Sequence, residues 1–425
     1  MIQSSSNTRR RAVLIRGGQL ARPDGTLAAT DVLIGADGRI ARLGASLSEP
    51  EGASVVDASG CLVTPGFVDM HQHLDKTGVL RFTPNPSGTL QGARDAFALY
   101  ARKAPPEDVL RRAARTLGRC LAHGTTAIRS HVNVDKDAGF NGIDALAQLR
   151  AEWADLVQLQ LVAFMTPHPG QDLDWLRANI DRAVDMADVV GGTPAVAEDP
   201  DAYMDILFET AARHGLPVDL HLDEHLDADR QLFPKVFERV RRFGLQGRTV
   251  LSHCSVLSAM PREEFLPIMD QILELDLGVV TLPAANLYLQ GRDRDMLPPR
   301  GLTRVAEMLR AGVRLATASD NIQDPFVPTG SGDMLEIARW TLLAGHLKGD
   351  ELPLVHRMIG EIPAGLMGLG SHALVPGARA DLLVARADDV ANLVAGGAEE
   401  LRVFAAGRLV SETTLSQDPG AEQLG

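Results

Sequence analysis

Leu62-Val63-Thr64-Pro65-Gly66-Phe67-Val68-Asp69-Met70-His71-Gln72-His73 is the stretch on which the fold turns. Leu62–Met70 reads as one buried strand, and it runs directly into two histidines. Residues two apart on a strand project to the same face. His71 and His73 therefore leave the strand end together, where they can chelate one divalent cation. An H-x-H pair alone arises by chance. Here four further polar signals follow, each at the end of its own apolar run: His131, His221 with Glu224, His253, and Asp320. Isolated core histidines are not expected to fall so regularly.

Working outward, further strands are expected at Thr126–Val132, Gln158–Phe164, Ala187–Gly191, Val218–Leu222, Thr249–Ser252, Gly278–Leu282 and Arg314–Ser319. Helical patterns lie between them. Pro106-Glu107-Asp108 opens one with acid in its first turn and Gly124 closes it. Others cover Ile143–Trp153, Pro200–His214, Phe233–Arg242 and Pro261–Leu275. Eight strands alternating with helices indicate an α/β chain folded as a (β/α)₈ TIM-like barrel. Its functional residues belong at the C-terminal strand ends. Before Cys61 come short segments with turn signals: Ala12–Arg16, Asp31–Ile34, Arg39–Leu43 and Ser54–Asp57. After Ser371 short strands return at Ala380–Ala385 and Leu401–Val410. The two β-rich ends can pair into one side domain, giving an expected division at 1–62, 63–370 and 371–425. There is no repeat of solenoid length and no low-complexity segment.

The 425-residue chain has a formal net charge of −13, which argues against nucleic acid or an anionic membrane as its partner. Its three cysteines, Cys61, Cys120 and Cys254, show no C-x-x-C spacing, and a reducing cytoplasm is the simpler reading. Arg9-Arg10-Arg11 is followed by an apolar run, Ala12–Ile15, that Arg16-Gly17-Gly18 cuts too short for an export signal. No apolar run reaches the roughly 18 residues of a membrane span. The expected partner is a small molecule.

A metal that activates water needs several neutral imidazoles or carboxylates and one open position. His71 and His73 supply two ligands. His221, at the end of Val218–Leu220, can supply a third, and Asp320, after Arg314–Ser319, a fourth. A barrel would gather these from strands 1, 5 and 8 around one mouth. Glu224 lies three residues beyond His221, beside such a metal, where a carboxylate suits proton shuttling to a ring nitrogen and a leaving amine. His253 could hydrogen-bond the activated water or the developing tetrahedral oxygen. Blander readings stand beside these. Asp320 could cap the following segment, and Glu224 could be one solvated acid in Asp223-Glu224-His225-Leu226-Asp227. His131 could line the pocket or stabilise a loop. His123, His214, His346, His356 and His372 read as structural.

These motifs resemble the amidohydrolase superfamily, and within it the cytosine deaminase-like branch. The resemblance spans nearly the whole chain. It rests on P-G-F-V-D-M-H-Q-H-L-D-K-T (65–77), R-S-H-V-N-V-D (129–135), L-H-L-D-E-H (220–225), L-S-H-C-S (251–255), L-Q-G-R (289–292) with R-G-L-T-R (300–304), and S-D-N-I-Q-D-P-F (319–326). It implies a (β/α)₈ barrel with a small β-sandwich made from both chain ends. It implies one zinc or iron held by His71, His73, His221 and Asp320, with Glu224 as proton shuttle. It also makes His253 the histidine that orients the nucleophile and Asp320 the base that first takes the water's proton. No lysine marks the ends of strands 3 or 4, which favours one metal over two. A homo-oligomer is expected by analogy.

The chain departs from the cytosine deaminases where substrate would bind. Their strand 3 carries a pattern like V-A-F-P-Q-E-G, whereas here it is Val162-Ala163-Phe164-Met165-Thr166-Pro167-His168-Pro169-Gly170. Thr166 cannot make the paired contact of an amide, though His168 could replace part of it. Their second strand-8 aspartate is here Asn321. Lys76 is similar to the branch that includes N-isopropylammelide amidohydrolase. The expected activity is hydrolytic deamination of a small aminated nitrogen heterocycle, with cytosine-like pyrimidines, triazines and related rings as the candidates and cytosine itself the less favoured among them. Water activated at the metal attacks an amidine carbon, Glu224 shuttles protons, and ammonia or an amine leaves. Thr166, His168, Asn321, Phe326 and Gln290 are the positions expected to shape specificity. N-alkyl-aminotriazine or cyclic-amide hydrolysis is the alternative. A non-catalytic scaffold is the reading from another class, and the retained ligands and Glu224 speak against it.

Overall fold

The structure, a computed structural model, describes residues 11–21, 26–167, 173–370 and 372–415. Eight strands form the barrel: β1 (Phe67–Gln72), β2 (Thr125–Val134), β3 (Gln158–Met165), β4 (Val189–Gly192), β5 (Val218–Leu222), β6 (Thr249–His253), β7 (Gly278–Thr281) and β8 (Arg314–Thr317). Each pairs in parallel with the next. Nearly every residue in them is buried, which is why they read in the sequence as apolar runs rather than alternating ones. The ring closes just past β8. Asp320 forms a parallel bridge with Gln72, and its amide donates to the His71 carbonyl at 2.8 Å. Beside this bridge the Asp69 carboxylate accepts the Ser319 amide at 3.1 Å and the Gln72 side-chain amide at 3.0 Å. Closure thus fixes His71 against Asp320. Val68, Ala127, Val250 and Ala316 fill the barrel floor with Ala364 and Met367 of the helix Glu361–Met367.

The expected strand Leu62–Met70 is two strands. Leu62–Pro65 pairs with Leu382–Ala385 and Val13–Ala21 in the side sheet, and only from Phe67 does the chain enter the barrel. Gly66 is the joint. A β-carbon there would stand 2.3 Å from Thr126 Oγ1 and 2.7 Å from its methyl, so only glycine lets the crossing chain pass β2.

The side sheet has eight strands, drawn from both parts of the chain that flank the barrel. Its order is Arg408–Thr414, Glu400–Ala405, Leu382–Ala385, Leu62–Pro65, Val13–Ala21, Leu27–Ile34 and Ile40–Gly44, with Ser54–Asp57 also paired to Val13–Ala21. Ile15, Val32, Ile34, Ile40, Val63, Leu382, Val384 and Phe404 share its core. No helix among the described residues is long and apolar enough to cross a membrane.

Between β1 and β2 stand two helices, where the sequence indicated one. α1 (Leu90–Ala101) precedes the anticipated α2 (Pro106–Ala122). Thr89 caps α1, its hydroxyl accepting the Gly92 amide at 3.1 Å. The helix Leu173–Val184 was likewise not drawn from the sequence.

Candidate active site

The C-terminal strand ends converge on four buried side chains. His71 and His73 leave the end of β1, His221 stands in β5, and Asp320 follows β8. Their ligating atoms all lie within 4.8 Å of one another. His221 Nε2 is 3.2 Å from His71 Nε2 and 3.1 Å from His73 Nε2, and Asp320 Oδ1 is 3.5 and 3.2 Å from those two nitrogens.

The surrounding hydrogen bonds set the tautomers. Ser252 Oγ donates to Asp219 Oδ1 at 3.0 Å, so it accepts from His71 Nδ1 at 2.9 Å. The other Asp219 oxygen is held by Arg129 Nη1 at 2.8 Å. His73 Nδ1 lies 3.0 Å from the His131 carbonyl, which can only accept, and 3.1 Å from Lys76 Nζ, which can only donate; a donating Nδ1 satisfies the carbonyl while the ammonium turns to Asn133 Oδ1 at 2.6 Å. Both rings then turn an unprotonated Nε2 to the common point. Burial, reinforced by Lys76, lowers the pKa of His73 to about 4; burial, reinforced by His71, holds that of His221 well below its usual value. The Asp320 carboxyl is drawn well below its usual range, against burial, where hydrogen bonds from His71 and His73 reach it; with both Nε2 atoms unprotonated, that role passes to a cation. Lone pairs packed this closely repel unless a cation sits between them. Asp320 Oδ1 has no hydrogen-bond donor among the described residues. Three neutral imidazoles and one carboxylate match the ligand chemistry of a divalent ion.

A second grouping, His71, His131 and Asp219, also comes within ligand range. It does not fit a cation, because Asp219 is already paired with Arg129 and Ser252. His131 is fully buried and stacks on His71 at 3.9 Å between centroids. It packs behind His71 and does not line the cavity.

Several strand-end residues hold left-handed backbone: Asp223 (φ 49°), His253 (φ 67°), Cys254 (φ 51°) and Asp320 (φ 60°). Side-chain-bearing residues rarely adopt this conformation, and it clusters where geometry matters more than comfort. Here it turns the chain sharply as each strand ends. His253 Nδ1 lies 3.2 Å from Asn286 Nδ2 and 3.6 Å from Glu224 Oε1, and burial lowers its pKa to about 3. Burial and the nearby Asp320 charge push the Glu224 carboxyl well above the ordinary range, against the opposing pull of Arg94.

Over this cluster opens a cavity of about 420 Å³. His73, His221, Glu224, His253 and Asp320 form its base, and Thr166, Asn321 and Phe326 lie in its wall. Thr166 Oγ1 accepts from Asn133 Nδ2 at 2.8 Å, and Asn321 Nδ2 donates to Asp324 Oδ2 at 2.7 Å. Gln290 is not in the wall. Its amide donates to the Glu224 carbonyl at 3.1 Å and braces the segment that carries the acid. His168 lies outside the described residues.

Sequence reading missed other parts. Lys76 reaches the cavity with its ammonium 2.6 Å from Asn133 Oδ1 and 3.1 Å from the edge of His73. It lies 4.9, 5.4 and 5.9 Å from the ring centroids of Phe97, Phe326 and Phe164. Arg94 and Phe97 come from α1. The Arg129–Asp219–Ser252 relay behind His71 had one available signal: Asp219 is two residues before His221 and so shares its strand face.

Comparison with known proteins agrees with this geometry. The Amidohydrolase family profile matches residues 54–112 and 85–395. Pterin deaminase of Rhizobium rhizogenes (strain K84) is 30% identical over 382 residues, covering 89% of this chain and 82% of that protein. N-isopropylammelide isopropyl amidohydrolase of Pseudomonas sp. (strain ADP) is 29% identical over 366 residues, covering 84% and 87%. The crystal structure of 5-methylcytosine deaminase from Klebsiella pneumoniae superposes with a TM-score of 0.88 at 29% identity, over 96% of this chain and all of that one. With three imidazoles and a carboxylate at the mouth of a parallel barrel, and with relatives matched along nearly its full length, the chain belongs to the amidohydrolase family.

Proposed function

We propose that this enzyme is a metal-dependent hydrolytic deaminase of a small aminated nitrogen heterocycle, with His71, His73, His221 and Asp320 as the ligands of one zinc or iron ion. The observation that carries this is the meeting of that ligand set with the buried Glu224 carboxyl at the base of one cavity. A divalent ion held there supplies acidified water as a nucleophile at neutral pH.

The protein's own groups do the rest. Asp320 takes the first proton from the attacking water. Glu224, favoured in its acid form by burial, gives its proton to the ring nitrogen next to the attacked carbon; the two protons of the attacking water, the first by way of Asp320, then restore Glu224 and protonate the leaving amine as the C–N bond breaks. His253 steadies the oxygen as the carbon becomes tetrahedral. Phe97, Phe164 and Phe326 offer faces for a flat ring. Lys76 offers an ammonium donor to a ring oxygen, and Thr166 and Asn321 complete the wall. Release of a substituted amine is the second reading. It is favoured by the relative named for an N-isopropyl substrate and by the largely apolar cavity.

The test is elemental analysis of the purified protein, with ammonia and amine release followed on aminated pyrimidines, triazines, purines, pterins and creatinine. About one zinc or iron per chain with turnover of one ring class is the expected result. A folded, metal-free protein purified without chelator would overturn the assignment of the four ligands.

A further inference from the structure

The cavity is longer than one ring needs. Residues from Gln91 through Arg94, Asp95 and Ala98 to Arg102 all line it. Their spacing is that of a single helix face. The eleven steps from Gln91 to Arg102, at 1.5 Å rise each, make this wall about 16 Å long. The volume of about 420 Å³ falls within the ~300–1,000 Å³ of cavities that enclose drug-sized ligands. The site therefore accepts a ring with something attached.

Most charged groups along the far part are already engaged. Arg102 Nε is 2.6 Å from Asp137 Oδ1. Asp135 Oδ1 caps the Asp137 and Ala138 amides at 2.9 and 2.8 Å. Asp95 accepts from Gln91 at 2.8 Å. Lys76 stands beside His73 at the base of the cavity, where the donors that Asn133 leaves free face the ring and not a substituent. Arg94 is different. It is half-buried in the wall, and among the described residues its one hydrogen bond runs from Nη2 to the Pro167 carbonyl at 3.2 Å. A guanidinium has five N–H donors, and four remain to be satisfied.

We propose that the natural substrate carries a carboxylate substituent on its ring, and that Arg94 receives it in the α1-lined part of the cavity. This rests on the deaminase reading above. The planar fork of one guanidinium matches one carboxylate in a bidentate pair. A phosphate, with nearly two charges and more acceptors, fits poorly beside Asp95 and Asp135.

The test compares carboxylated aminopyrimidine and aminopteridine rings with their uncharged carboxamides, using the full chain with its metal content measured. In the wild type the ratio of kcat/KM, acid over amide, is expected to be tenfold or more for the preferred ring, as a charged hydrogen bond warrants. Arg94→Met should bring the ratio near one, and Arg94→Lys should retain part of it. A wild-type ratio near one overturns the proposal, whatever the variants do. So does an unchanged ratio in Arg94→Met, even if its kcat–pH profile shifts, because Arg94 would then act only through Glu224. Calorimetric binding of the carboxylated rings separates the two readings. Arg94-dependent binding without release of ammonia or amine would sink the deaminase and leave the carboxylate subsite standing.

Discussion

At the residue scale the site depends on keeping opposite protonation states close together. Burial, and then the Asp320 charge, push the Glu224 carboxyl up, whereas Asp320, equally buried, is drawn down at the point where His71 and His73 meet it. Glu224→Gln keeps the shape and removes the titrating oxygen. It should lower kcat by about 10²–10⁴-fold with metal content and melting temperature near wild type. Turnover at the wild-type rate would show that another group carries the proton. Asp320→Ala should abolish activity and drop metal well below one per chain, read by elemental analysis. Normal metal content in that variant would remove Asp320 from the ligand set.

At the element scale, the barrel strands were legible because a strand buried on both faces must be an apolar run, and a polar residue that breaks off its end stands out. The joint at Gly66 had one signal, the Pro65-Gly66 dipeptide, which the apolar pairs Leu62-Val63 and Phe67-Val68 on either side of it outweighed. Gly66→Ala should cost about 1–3 kcal/mol by overpacking against Thr126, measured by urea denaturation. A neutral effect would mean that β2 yields at no cost. α1 escaped notice because it carries Gly92 and scatters Arg94 and Asp95 among alanines, so its apolar stripe is thin. The cage around Lys76 could not be read at all. Its three rings come from α1, β3 and the segment after β8, and no spacing along the chain announces that meeting. Behind the ligands, Arg129→Met would strand the Asp219 charge in the barrel and should destabilise by roughly 3–5 kcal/mol. The companion change Asp219→Asn should recover part of that loss.

At the scale of the whole molecule, the proposed ligand set, drawn from the ends of β1, β5 and β8, would make metal binding a constraint on the entire ring. Chelator dialysis should lower the melting temperature as well as activity, with both restored by zinc or iron. Equal melting temperatures for the two forms would place the ion elsewhere. Stability should also respond to pH through Asp324, which burial pushes up to about 7 against the hydrogen bonds of Asn321, Val327 and Phe326. Its unfolded carboxyl ionises near 3.8. Below that value both states hold the proton and the contribution is whole. As pH rises toward 7 the unfolded chain ionises first, and up to roughly 4 kcal/mol of stability is lost. Urea midpoints at pH 4.5 and 8 should therefore differ more for the wild type than for Asp324→Asn. Parallel changes would rule Asp324 out as the cause.

The division of labour around the cavity has a consequence for descent and for engineering. The proposed ligands and acid–base groups are fastened to the barrel's strand ends, while much of the remaining cavity wall comes from α1, one excursion between β1 and α2. An ancestor could exchange that excursion and acquire a new diet without disturbing its chemistry. A designer who grafts a foreign helix between Gly88 and Lys103 begins from the same freedom.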